Sequence, residues 1–210
     1  MALIRAQLRL YLITDPVMCA ERGVVDTVQE AVSGGVTMVQ LRDKTATTAT
    51  RIELARALMR ALDGTGVPLV VNDDLEAAIA AGADGAHIGQ TDAPPERARA
   101  LLGPDKILGL SCETLTATRE ARDAPVDYLG LGPIFSTGTK DDHKPPIGWT
   151  GLAQMATAAT VPTVAIGGIK SRHMKQVFDA GADGASVVSA ICAAPDPRAA
   201  AVTFLKELSE

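Results

Sequence analysis

The chain has 210 residues, 47% hydrophobic and 21% charged, which is globular composition and excludes disorder. A net charge of −5 and an aromatic content of 3% exclude a general nucleic-acid surface, an anionic-membrane surface and a base-stacking platform. No apolar run reaches the ~18 residues of a membrane span, and Cys19, Cys112 and Cys192 are too widely spaced for a metal or disulfide signature.

Short β-rich runs alternate with Ala-rich stretches of helical period along the whole sequence. Strands are expected at 8–14, 37–41, 69–72, 85–88, 107–111, 128–131, 163–166 and 185–188. Helices are expected after each, at 23–33, 47–62, 74–81, 94–102, 114–122, 149–158, 171–180 and 196–208. Eight strand–helix units in one domain, 1–210, point to an α/β fold of the (β/α)₈ TIM-barrel type. An open doubly wound sheet is the alternative, but no Gly-x-Gly-x-x-Gly follows the first strand. The first residues run almost directly into a strand, so no signal peptide is expected. With thiols expected to stay reduced, the cytoplasm is the expected compartment.

The hexapeptide Ala-Gly-Ala-Asp-Gly-Ala occurs at 81–86 and again at 180–185, each time between a helix and an even-numbered strand. Shared turn chemistry, with Gly stopping a helix, explains this as well as duplication does. The long, Gly/Pro/Thr-rich connection 132–148 reads as a functional loop.

In such a barrel the strands' carboxyl ends face the catalytic mouth. Three polar groups fall there. Gln40, Arg42 and Lys44, in Gln-Leu-Arg-Asp-Lys, share one side of strand two and suit phosphate oxygens; a solvated loop is the plain alternative. Asp73 and Asp92 follow adjacent strands and suit Mg²⁺. Helix capping by Asp73, Asp74 or Asp92 accounts for them equally well. Gly167-Gly168-Ile169 and Val188-Ser189 suit a backbone phosphate cradle, with Thr137, Thr139 and Lys140 closing over it. His87 reads as a packed or hydrogen-bonded histidine, His143 and His173 as exposed, and Trp149 as the anchor of helix six. No Ser/His/Asp or Cys/His nucleophile pattern emerges.

These segments, in this order, resemble the thiamine-phosphate synthase family. The resemblance runs from Tyr-Leu-Ile-Thr-Asp at 11–15 to Val-Val-Ser-Ala-Ile at 187–191. It includes Val-Asn-Asp at 71–73, Gly-Leu-Ser at 109–111, Gly-Pro-Ile-Phe-Ser-Thr-Gly-Thr-Lys at 132–140 and Ala-Ile-Gly-Gly-Ile at 165–169. The resemblance implies coupling of a hydroxymethylpyrimidine diphosphate to a thiazole phosphate, with release of diphosphate. By position it implies that Gln40, Leu41, Arg42, Asp43, Lys44, Asn72, Ser111 and Lys140 hold the pyrimidine diphosphate. It gives Mg²⁺ to Asp73 and Asp92, and the thiazole phosphate to Thr137, Thr139, Gly168, Val188 and Ser189. Asp74, Glu113 and Ser136 depart from the residues frequent in the family.

An electron-rich pyrimidine can lose diphosphate to leave a stabilised carbocation. The enzyme then needs charge neutralisation, from Mg²⁺, Arg42, Lys44 and Lys140, rather than a nucleophile of its own. The loop 132–148 is expected to act as a lid. Rival readings are a thiazole tautomerase-like relative, a phosphosugar isomerase or aldolase, and a non-catalytic ligand-binding regulator. The expected partners are small-molecule substrates, without nucleic acid or membrane; the oligomeric state, homo-oligomer included, stays open.

Overall fold

The computed structural model describes residues 3, 5–136 and 145–208. Eight parallel strands close into a barrel in chain order. They are β1 (Leu10–Ile13), β2 (Met38–Leu41), β3 (Leu69–Asn72), β4 (Gly85–Ile88), β5 (Ile107–Cys112), β6 (Tyr128–Leu131), β7 (Thr163–Ile166) and β8 (Ala185–Val187). The first and last close the ring through pairs such as Leu10 with Ala185. Most strand residues are buried, as parallel strands covered by helices must be.

The covering helices are α1 (Val24–Ser33), α2 (Thr48–Leu62), α3 (Leu75–Ala81), α4 (Pro95–Leu102), α5 (Leu115–Glu120), α6 (Gly148–Ala158), α7 (Met174–Asp179), α8 (Ser189–Cys192) and α9 (Pro197–Lys206). Strand alternation divides the core in two. Leu10, Leu12, Val39, Leu41, Val71 and Ile88 pack outward under the helices. Tyr11, Ile13, Met38, Val70, Ile107, Tyr128 and Val164 fill the barrel itself.

A repeated hydrogen-bond bracket ties each odd strand to the even strand after it. The residue just before or at the start of the even strand uses both its backbone and its side chain. The Asp84 N–H donates to Leu69 O while its carboxylate accepts the Leu69 N–H at 2.9 Å. Asp127 does the same with Leu108, and Asp183 with Thr163, at 2.7 and 2.8 Å. In the first pair Thr37 takes the place of the aspartate, its hydroxyl oxygen accepting the Leu10 N–H. The two aspartates of the repeated hexapeptide are therefore brackets. Its glycines serve the helix ends and the close approach of strands: a Cβ at Gly85 would meet Ile107 O at 1.9 Å.

Several elements depart from expectation, and the helices expected at 114–122 and 171–180 are in part 3-10 turns, at Ala121–Asp123 and Ser171–His173. The first strand begins at Leu10, not at 8; Arg5–Leu8 instead form a 3-10 turn. The ladder with β2 and β8 starts at Leu10 and Tyr11, and burial draws Leu8 under the barrel as part of its floor. The short helix α8 was not expected between the eighth strand and the last helix.

Candidate active site

The main pocket opens at the carboxyl ends of the strands, and Gln40, Asn72, His87, Ser111, Gly168 and Ser189 line it. Arg42 and Lys44 stand at its β2–β3 side, where an adjoining pocket continues past Asp73 and Asp92. The Arg42 backbone is fixed by its N–H, which donates to Thr14 Oγ1 at 3.0 Å. Leu41 is buried in the helix-facing core, so only its backbone can reach the mouth. Asp43 turns its carboxylate back on its own loop, accepting from Thr45 N, Thr45 Oγ1 and Ala46 N. Burial opposes the Asp43 charge, but these donors outweigh it and hold the carboxyl below its ordinary value.

Arg51, a half-buried residue of α2, organises this edge. Its guanidinium donates to Asp43 O at 2.9 Å and to Ala46 O at 2.7 Å, and it pairs with Asp74. Asp74 is the N-cap of α3, accepting from Ala77 N at 2.9 Å. That leaves Asp73 out of the cap.

Asp73 sits instead at the centre of a three-residue turn closed by the Asp74 N–H on Asn72 O, with φ at 61°. A positive φ there is rare for a residue other than glycine and stores strain, a feature of working sites. The Asp73 side chain reaches solvent, yet crowding by protein atoms and the hydrogen-bonded Asp92 carboxyl push its own carboxyl up to about 6. Lys44 and Asn72 act the other way. Asp92 does not begin α4, which starts at Pro95 with Pro94 as its cap; its Oδ2 accepts the Gly89 N–H at 2.7 Å. Two carboxylates in contact, beside a lysine, are a donor set that a divalent cation would relieve. Among the described residues no group of three His, Cys, Asp or Glu gathers, so such a cation would keep waters and substrate oxygens.

Across the pocket, Gly167 and Gly168 take φ values of 100° and 69°, open to glycine and strained for other residues. Gly168 also lies so close to Phe135 that a Cβ would meet its Cβ at 2.9 Å. Val188 caps α8 and Ser189 is its first residue, so both face the glycines from β8. Lys170, unremarked in the sequence, lines the same wall. Thr137, Thr139, Lys140 and His143 lie outside the described residues. His173 is not exposed: it packs against Phe135 and Trp149. Trp149 does anchor the start of α6.

The pocket floor holds what local sequence could not show. Gln40 Nε2 donates to Tyr11 Oη at 2.6 Å, and Tyr11 Oη lies 2.8 Å from Tyr128 Oη. Tyr128 Oη lies 2.8 Å from His87 Nδ1, and His87 Nε2 lies 2.9 Å from Ser111 Oγ. Gly109 makes the space: a Cβ there would strike the Tyr128 ring at 2.1 Å. Burial pushes both phenols well above their ordinary range, so both stay protonated.

The model of a family described as thiamine monophosphate synthase matches residues 10–191. The chain belongs to that family. It is an enzyme of the transferase class that the family represents. The thiamine-phosphate synthase of Azorhizobium caulinodans is 50% identical over 197 residues, 94% of this chain and 93% of that protein. That of a Psychrobacter species is 49% identical over 203 residues, covering 95% of each. The solved thiamine phosphate pyrophosphorylase of Pyrococcus furiosus superposes with a TM-score of 0.89 at 34% identity, covering 98% of this chain and 97% of that one. Family membership accords with the resemblance read from the ordered segments.

Proposed function

We propose that this transferase joins a hydroxymethylpyrimidine diphosphate to the ring nitrogen of a thiazole phosphate, giving thiamine phosphate and diphosphate. One observation carries the reading: two anion-ready walls stand on adjoining pockets that share Arg42, Asn72 and Ser111. On the β2–β4 side stand Arg42, Lys44 and the Asp73–Asp92 pair; on the β7–β8 side stand Gly168 and Ser189.

Asp73 and Asp92 would hold Mg²⁺ through their carboxylates. When bound, Mg²⁺ would neutralise charge on the departing diphosphate. Arg42 offers a planar fork to the same oxygens and Lys44 a point charge. Asn72 and Ser111 contribute hydrogen bonds from the ends of β3 and β5. Family resemblance adds Lys140 to the diphosphate, and Thr137 and Thr139 to the thiazole phosphate. This reaction asks no nucleophile of the chain. The pyrimidine methylene loses diphosphate to leave a ring-stabilised carbocation, which the thiazole nitrogen attacks. Gly168, Val188 and Ser189 hold the thiazole phosphate by backbone and hydroxyl donors, which brings that nitrogen to the reacting carbon.

The direct test is incubation of the protein with both substrates, with and without Mg²⁺, following diphosphate release. Release that needs both substrates and the metal is expected. Folded protein that releases none would overturn the proposal, and release undiminished by a chelator would remove Mg²⁺ from it.

A further inference from the structure

The chain has two tyrosines, and both stand in the buried row that runs from Gln40 to Ser111. Packing alone does not require them. Phenylalanine would fill the same space, and barrels are ordinarily filled with branched aliphatic residues. Burying two hydroxyls, an amide and an imidazole is costly unless each finds a partner, and a satisfied row fixes one arrangement.

The arrangement follows from counting protons. Gln40 donates its amide N–H to Tyr11. The distances leave the direction open, but for the single Tyr11 proton to find an acceptor within the row it goes to Tyr128, and that of Tyr128 then goes to His87 Nδ1. His87 therefore carries its proton on Nε2 and donates to Ser111 Oγ. Ser111, having accepted, keeps its own proton for the pocket. At the opposite end Gln40 turns its amide nitrogen, which carries two N–H groups, toward Tyr11, so Oε1 on the other arm of the amide is the acceptor it offers. Both residues line the same pocket.

We propose that Tyr11, Tyr128 and His87 are positioning residues whose hydrogen-bond row sets an acceptor, Gln40 Oε1, and a donor, Ser111 Oγ–H, against the ring in the pocket. The proposal rests on the reading that this ring is an aminopyrimidine, which brings an N–H donor and a ring-nitrogen acceptor of its own. A reversed row would offer the opposite pattern and reject that ring, because buried unmatched polar groups discriminate strongly.

The first test does not depend on turnover. Nitrogen-15 NMR of histidine-labelled protein, with the His87 signals assigned by their loss in His87→Gln, reads which ring nitrogen holds the proton. The expected result is a neutral His87 protonated on Nε2; protonation on Nδ1 in the wild type would overturn the row's polarity. The second test reads the two substrates separately. Tyr128→Phe and Tyr11→Phe should each raise the KM for the pyrimidine diphosphate on the order of tenfold, the weight of one hydrogen bond. The KM for the thiazole phosphate should stay within about twofold. The double variant should be no worse than either single one, since both cut the same row. Equal rises in both KM values, additive losses, or unchanged KM values with a lower Tm would reduce the row to a structural feature and refute the proposal. A wild type that turns over neither substrate would instead sink the functional reading, with the NMR result still deciding the row.

Discussion

Asp92→Asn separates a metal ligand from a turn residue. The Asp92 Oδ2 accepts the Gly89 N–H at 2.7 Å, and an asparagine oxygen can keep that bond, so the turn should survive. What disappears is one of two negative charges that touch each other across the ends of β3 and β4. Removing one group aimed at charge developing in a transition state typically costs ~10²–10³-fold in rate, about 3–4 kcal/mol. A loss of that size in kcat/KM is expected, together with a higher Mg²⁺ concentration for half-maximal rate. Without metal the variant also loses a like-charge contact, so its Tm should lie within about 2 °C of wild type, or above it. Rates come from coupled detection of diphosphate across a Mg²⁺ series, and stability from thermal unfolding in chelator. Wild-type turnover at the wild-type Mg²⁺ requirement would refute the metal assignment. Activity lost together with a collapsed Tm would show that the substitution broke the turn instead.

Asp84→Ala and Asp183→Ala each strand a strand N–H, of Leu69 and Thr163. Each should cost about 1–3 kcal/mol, seen as a Tm fall of roughly 3–10 °C, and an unchanged Tm would dismiss the brackets. Gly168→Ala places a methyl 2.9 Å from Phe135 at a φ of 69°. It should raise the KM for the thiazole phosphate well beyond that for the pyrimidine diphosphate, and parallel steady-state titrations would expose a wrong assignment as equal effects. At Asp74, burial opposes the charge, but Ala77 N–H, Thr48 and Arg51 outweigh it and hold the carboxyl below its ordinary value. Its stabilisation is therefore present above the unfolded value of ~3.9 and lost as pH falls through the lower folded value. Asp74→Asn should be less stable than wild type at pH 7, and the gap should close as denaturant midpoints are followed into acid; a gap that is constant with pH would contradict the charge account.

The eight strands were readable because a parallel barrel strand is buried on both faces and leaves a short, largely apolar run. Those starting at Leu69, Gly85, Tyr128 and Thr163 begin and end where the sequence placed them. The turn at Arg5–Leu8 was not readable, because Leu8 looks the same whether it pairs in a ladder or plugs a floor. Asp73 and Asp92 stayed ambiguous in sequence because ligands and caps use the same residue. The structure separates the roles through Asp74 on α3 and Pro94 on α4. The row through Tyr11, Tyr128 and His87 joins positions up to 117 apart, and no local pattern announces it. Strand alternation was the available signal, since every member points inward from its strand. Arg51 gave no signal at all: one more arginine on an amphipathic helix looks solvated until Asp43, Ala46 and Asp74 close around it.

The most direct measurement of the central claim is a single-turnover reaction with enzyme in excess, both substrates and Mg²⁺, quenched over time and analysed by mass spectrometry. Thiamine phosphate and diphosphate should appear together, one for one, and neither should form when the thiazole phosphate, the pyrimidine diphosphate or the metal is left out. Folded enzyme that yields no thiamine phosphate in the complete mixture would contradict the account.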